Sequence, residues 1–82
     1  MMQASEIQKK LESALSKSEV IVQDLTGTMD HFQVLAISPD FEGKTMIEQH
    51  QMIYAALGDA MKEAIHALSI KSYTPEEWKS GN

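Results

Sequence analysis

Three histidines, His31, His50 and His66, are the side chains of this 82-residue chain best suited to titrate near neutral pH or to ligate a metal through nitrogen. No cysteine accompanies them, which removes any thiol nucleophile, thiolate ligand or disulfide framework. Their spacing forms no recognised metal motif, such as two histidines four apart on a helix. His50 falls on the apolar side of a helical pattern, where a packed histidine with one hydrogen bond is the ordinary reading. His66 stands where a short helix passes into a strand. Element ends hold side chains rigidly yet expose them, so a ligand role and a structural one both remain open there. His31 lies at the mouth of a strand beside a loop and reads, by itself, as an ordinary residue of that position.

Catalytic constellations are missing from the sequence. It has no Gly-x-Ser-x-Gly elbow, no phosphate-cradling glycine loop and no dinucleotide fingerprint. The carboxylates fall mostly on polar helix faces, where solvation accounts for them. A domain of this length also has little room for a deep pocket. Of the function classes, enzyme fits least and partner binding fits best.

The elements that must position the histidines follow from periodicity. Ser5-x-x-Gln8 can form a capping box, and Ile7, Leu11, Ala14 and Leu15 share a stripe, so a first helix is expected over about Glu6 to Lys17. Val20-Ile21-Val22 and Phe32 to Ile37 read as two strands of an antiparallel hairpin, joined by Thr26-Gly27-Thr28-Met29-Asp30 and closed by Ser38-Pro39-Asp40. After a short loop, Phe41-Glu42-Gly43-Lys44, the box Thr45-x-x-Glu48 opens a second helix. Its expected buried face is Met46, His50, Ile53 and Leu57, flanked by Ile47 and Tyr54. Gly58 ends this helix, and Asp59 can cap a short one carrying Ala60, Met61, Ala64 and Ile65. From His66 the period becomes two, with His66, Leu68 and Ile70 on one face and Ala67, Ser69 and Lys71 on the other. Thr74-Pro75-Glu76-Glu77 announces a last helical turn, and Trp78 is expected to pin it to the body of the domain. The order is α-β-β-α-α-β-α, an α+β class, and residues 1–82 read as a single domain without repeats or linkers.

Composition narrows the setting. The net charge is −5, with 12 acidic residues against 7 basic ones, and every basic residue is lysine. Nucleic-acid readers usually carry a basic field and use arginine at base edges. A helix-turn-helix pair over residues 45–65 could still face a DNA groove, with Lys44 and Lys62 as its phosphate contacts, and this is the alternative reading. No apolar run reaches the roughly 18–20 residues of a membrane span, and the N-terminus lacks a signal-peptide pattern. A small domain without disulfides points to a reducing interior, so the expected location is cytoplasmic.

Taken together, several stretches resemble the BolA family in its short bacterial branch. They are His31-Phe32-Gln33-Val34, Ser38 with Phe41-Glu42-Gly43-Lys44, Gln49-His50-Gln51 with Tyr54, Ile65-His66-Ala67-Leu68-Ser69-Ile70, and Tyr73-Thr74-Pro75-Glu76-Glu77-Trp78. The resemblance runs from about Val20 to Trp78 in the family's order. It implies a class II KH-like fold, a three-stranded sheet with helices packed on it, and it matches Phe41-Glu42-Gly43-Lys44 to the family's F-x-G-x signature. It also implies a partner, a monothiol glutaredoxin of the Cys-Gly-Phe-Ser type, and a [2Fe-2S] cluster shared with that partner and glutathione, in iron–sulfur handling and iron regulation. On this pattern His66, in the His-Ala-Leu motif, is the leading cluster ligand. The family's second ligand often comes from a longer loop between the first two strands; here that loop is short, and His31 is the residue available. Lys71 and Lys44 would meet the acidic or glutathione-bearing side of the partner. No cofactor is expected on the isolated chain, and alone it is expected to be a monomer or weak homodimer. The family is also linked to DNA binding and to transcription of envelope and stress genes.

Overall fold

The structure, a computed structural model, describes residues 3–25, 27, 31–58, 60–63 and 67–80, with Lys62 and Glu63 described by their backbone alone. Its elements are α1 (Ala4–Ala14), β1 (Glu19–Asp24), β2 (His31–Ile37), a 3-10 turn (Pro39–Phe41), α2 (Met46–Leu57), α3 (Ala60–Glu63), β3 (Ala67–Tyr73) and α4 (Pro75–Lys79). The expected order holds, with the 3-10 turn added.

The three strands form one sheet in the order β1-β2-β3. β1 runs antiparallel to β2, from Glu19↔Ile37 to Asp24↔Phe32. β3 runs parallel to β2, from His31↔Ala67 to Ile37↔Tyr73. Because side chains alternate along a strand, one face of β2 carries Phe32, Val34 and Ala36, all fully buried. These three join Ile7 and Leu11 of α1, Ile53 and Leu57 of α2, and Phe41 in a continuous core. The other face of β2 carries His31, Gln33 and Leu35, each half-buried. The hairpin is closed by Leu25 N–H donating to the His31 carbonyl at 2.9 Å and by Gly27 N–H donating to Asp24 Oδ1 at 2.9 Å. Gly27 takes φ +75°, which costs glycine nothing. The remaining turn residues, Thr26 and 28–30, lie outside the described residues.

α1 departs from its expected limits. It starts at Ala4, where the Glu6 carboxylate accepts the Gln3 N–H at 3.0 Å, so the pair at the N-terminus is Gln3 and Glu6 rather than Ser5 and Gln8. It ends at Ala14, three residues before Lys17, because distant groups capture the next peptide units. Ser16 N–H donates to Asp40 Oδ2 at 2.9 Å, and the Ser16 carbonyl accepts the Ser38 hydroxyl at 2.8 Å. Lys17 then turns through φ +48° into β1. Ser38 is itself fully buried, and its N–H donates to the Tyr73 carbonyl at 3.1 Å.

α2 is turned relative to its expected face. Its buried residues are Gln49, Ile53 and Leu57, whereas Met46 and Ile47 are 70% and 71% exposed, Tyr54 is exposed and His50 is half-buried. The cause is polar. Gln49 Nε2 donates to the carbonyls of Phe41 (3.2 Å) and Lys44 (3.1 Å), and Gln49 Oε1 accepts the Ser72 hydroxyl at 2.7 Å. Burying one amide satisfies two loop carbonyls that would otherwise be stranded beside the core. Phe41, expected in a short loop, ends the 3-10 turn and is fully buried.

The Thr45–Glu48 and Thr74–Glu77 capping boxes form as their spacing predicts. Gly58 ends α2 at φ +55°, and Asp59 lies outside the described residues, as do Ala64 and Ile65. Trp78 does less than expected. It remains 38% exposed, no residue of α4 is buried, and its ring leans on Tyr73 with centroids 5.4 Å apart. It secures α4 to the end of β3 and not to the core.

Candidate functional site

The site is assembled on the face of the sheet that the helices leave uncovered. Register divides that face into rows: Ile21, Leu35 and Lys71; Gln23, Gln33 and Ser69; and, at one end, His31 with Ala67. On β3 the side chains of Ala67, Ser69 and Lys71 are exposed, while Leu68 and Ile70 turn half-buried toward the helices. Among the described residues β3 pairs only with β2, so its outer edge is open to an incoming partner. The result is a mixed surface with an imidazole at one end, an ammonium beside exposed Ile21 and half-buried Leu35 toward the other, and amide and hydroxyl groups between.

His31 is the first residue of β2, and its register partner, Ala67, is the first residue of β3. His66, which the sequence makes the leading ligand, lies outside the described residues; it immediately precedes Ala67 in the chain. Lys71 lies on the same strand and the same face as Ala67, four residues along, or about 13 Å at strand rise. Lys44 belongs elsewhere, in the signature loop ahead of α2, where it is exposed. Lys62 is part of α3, and its side chain is outside the described residues. His50 sits on the flank of α2, next to buried Gln49, and does not join His31.

No group of three or more histidine, cysteine or carboxylate side chains that could hold a metal ion occurs among the described residues. The residue that sequence reasoning missed is Gln49. Its spacing with Ile53 and Leu57, at i, i+4 and i+8, is a signal present in the sequence, but the expected apolar face rests on Met46 and His50 instead.

Electrostatics at the signature loop centre on Glu48. Its carboxyl is held below the usual carboxylate range, first by the Thr45 backbone N–H, then by the Thr45 hydroxyl; desolvation opposes them, and Lys44 adds a weaker attraction. The Thr45 N–H bond is 2.8 Å. A capping box thus fixes the start of α2 immediately after Lys44.

A mixed three-stranded sheet with helices on one face and the other face left open defines a small α+β domain. Its residues 2–77 match the family model described as BolA-like protein, and the chain belongs to that family. It is 42% identical over 78 residues to the acid stress protein IbaG of Escherichia coli K12, covering 94% of this chain and 89% of that one. It is 39% identical over 56 residues to the DNA-binding transcriptional regulator BolA of Haemophilus influenzae, covering 68% of this chain and 54% of that one. Among solved structures, the BolA domain of SufE1 from Arabidopsis thaliana superposes with a TM-score of 0.83 at 35% identity, covering 90% of this chain and 93% of that one. The α+β fold expected from the sequence is therefore the BolA fold.

Proposed function

We propose that this chain is an adaptor that binds a monothiol glutaredoxin and contributes imidazole ligands to a [2Fe-2S] cluster shared with that partner and its glutathione. His66 is the first ligand and His31 the second. The observation that carries this reading is the pairing of His31 with Ala67, the residue that follows His66. One covalent step separates the leading ligand from the register partner of the second, at one end of a sheet whose edge is open.

The chain's own chemistry supports the reading. Without cysteine it can offer a cluster only nitrogen or oxygen donors, and two histidines suffice for one iron, as in centres where imidazoles replace two thiolates and alter charge and potential. Ligation requires neutral imidazole, so acid should release iron on this side first. Exposed Lys71, on the sheet face that carries His31, meets the acidic or glutathione-bearing surface of the partner, and Lys44 extends that contact from the signature loop. That a BolA domain occurs inside the larger protein SufE1 agrees with a module that works attached to another protein.

A second reading, a nucleic-acid-binding regulator, draws on the name of the Haemophilus relative. Against it stand the net charge of −5, the lack of arginine, and two lysines as the whole expected phosphate footprint. Gel retardation at low salt separates the two: the adaptor reading predicts no shift of any duplex.

The test is anaerobic reconstitution with a Cys-Gly-Phe-Ser glutaredoxin and glutathione, followed by visible circular dichroism. A cluster spectrum specific to the heterodimer, weakened in His66→Ala, is expected. An identical spectrum and iron stoichiometry in that variant removes His66 from the ligand set.

A further inference from the structure

On the helical side of the sheet, away from His31, a shallow open cleft of about 440 Å³ lies between α1 and α2, lined by Lys9, Lys10, Ser13, Ala14 and Ala56. We propose that this cleft is a second docking surface, one that receives an acidic amphipathic helix of a partner protein. The proposal is independent of the cluster reading, since the cleft and the His31 end belong to opposite faces of the sheet.

Charge is the first argument. On a chain of net charge −5, two of seven lysines stand side by side here, and the lining holds no carboxylate. The acids that helical spacing offers them are engaged elsewhere. Glu6, four residues before Lys10, accepts the Gln3 N–H at 3.0 Å; Glu12, three after Lys9, accepts Gln8 Nε2 at 3.3 Å. Among the described residues neither ammonium has an ion-pair partner. Two exposed cations are thereby left to an anion from outside.

Shape decides what carries that anion. Small-ligand sites enclose most of their ligand, and this cleft is open, which favours a macromolecular surface. Nucleic acid would call for a broader basic field and arginine. A membrane would call for large apolar side chains to insert, and none of the exposed ones, Ile21, Leu25, Met46, Ile47, Tyr54 and Trp78, lines the cleft. The apolar part of the lining is two methyl groups, exposed Ala14 and half-buried Ala56. They allow a third helix to approach α1 and α2 closely, with its acids reaching Lys9 and Lys10 and the Ser13 hydroxyl in reach of either.

The probe is an acetylated, amidated alanine–glutamate peptide of about 15 residues, long enough to hold helix, with an alanine–glutamine twin as control. Titrated into the uniformly 15N-labelled, cluster-free chain, the acidic peptide should move the amides of Lys9, Lys10, Ser13, Ala14 and Ala56. The affinity should fall about fivefold in the Lys9→Gln/Lys10→Gln variant and further with added salt. Both substitutions are at exposed helical positions and glutamine is as good a helix former, so the fold is kept, as far-ultraviolet circular dichroism will verify. The proposal is overturned by no shifts at millimolar peptide, by equal shifts with the twin, by shifts centred on Lys44 or Lys71, or by unchanged affinity in the double variant.

Discussion

The Ser72 hydroxyl of β3 donates to Gln49 Oε1 of α2 at 2.7 Å, and through that amide the last strand is tied to the signature loop. The same side chain donates to the carbonyls of Phe41 and Lys44. One 7%-exposed glutamine therefore couples three segments: the loop carrying Lys44, the helix it precedes, and the strand carrying Lys71. The two lysines proposed to meet a partner lie on different segments, and Gln49 ties those segments together.

Replacing Gln49 by methionine, of similar volume, should strand two carbonyls and one hydroxyl. The expected loss is about 2–4 kcal/mol in urea unfolding. Ser72→Ala removes one bond and leaves the amide oxygen with its second chance at water, so about 1 kcal/mol is expected. A loss for Gln49→Met no greater than for Ser72→Ala would mean that the loop carbonyls find other donors.

The orientation of α2 gives a contrast between neighbours. Met46→Ser and Ile47→Ser should change stability by no more than about 0.5 kcal/mol, because both side chains are mostly in water. Ile53→Ala, in the core, should cost about 2–4 kcal/mol. Comparable losses at Ile47 and Ile53 would restore the apolar face that periodicity suggested.

Ser38 and Asp40 hold the end of α1. Ser38→Ala leaves the Ser16 carbonyl without its 2.8 Å donor and removes the acceptor for Asp40 N–H, a loss expected at about 1–3 kcal/mol. The amides of Ser16 and Lys17 should then exchange with solvent faster than those of Ile7 and Leu11. Uniform protection along α1 in the variant would contradict this.

Acid stability should reflect Glu48. Its folded pKa lies below the ordinary value, so its contribution is complete above the unfolded glutamate pKa and is lost as pH falls through the folded one. Glu48→Gln keeps an acceptor for the Thr45 N–H but cannot titrate, and its stability curve should be flatter over the acid limb. Titration of the Glu48 carboxyl by NMR at or above the ordinary glutamate value would contradict the capping account.

How much of this was legible in the sequence follows from which forces are local. Strands, the threonine caps of α2 and α4 and the Gly58 stop were readable because alternation, Thr-x-x-Glu spacing and a positive-φ glycine act within a few residues. The end of α1 and the face of α2 were not. The first depends on Ser38 and Asp40, more than twenty residues from Ser16, and the second on a glutamine whose burial makes sense only once Phe41, Lys44 and Ser72 surround it. Of the candidate site, the placement of His31 at the start of β2 and of Lys71 on β3 was readable, but the pairing of His31 with Ala67 needed the parallel register of β3, which no local pattern specifies.

Ligation by this chain's histidines can be read directly from nitrogen hyperfine coupling. The heterodimer is assembled with 15N-histidine in this chain only, its cluster is reduced to the paramagnetic state, and pulsed electron paramagnetic resonance is recorded. We expect strong 15N couplings of directly bound imidazole, lost in His66→Ala and reduced in His31→Ala. A spectrum showing only thiolate-type ligation and no 15N coupling from this chain would contradict the account at its centre.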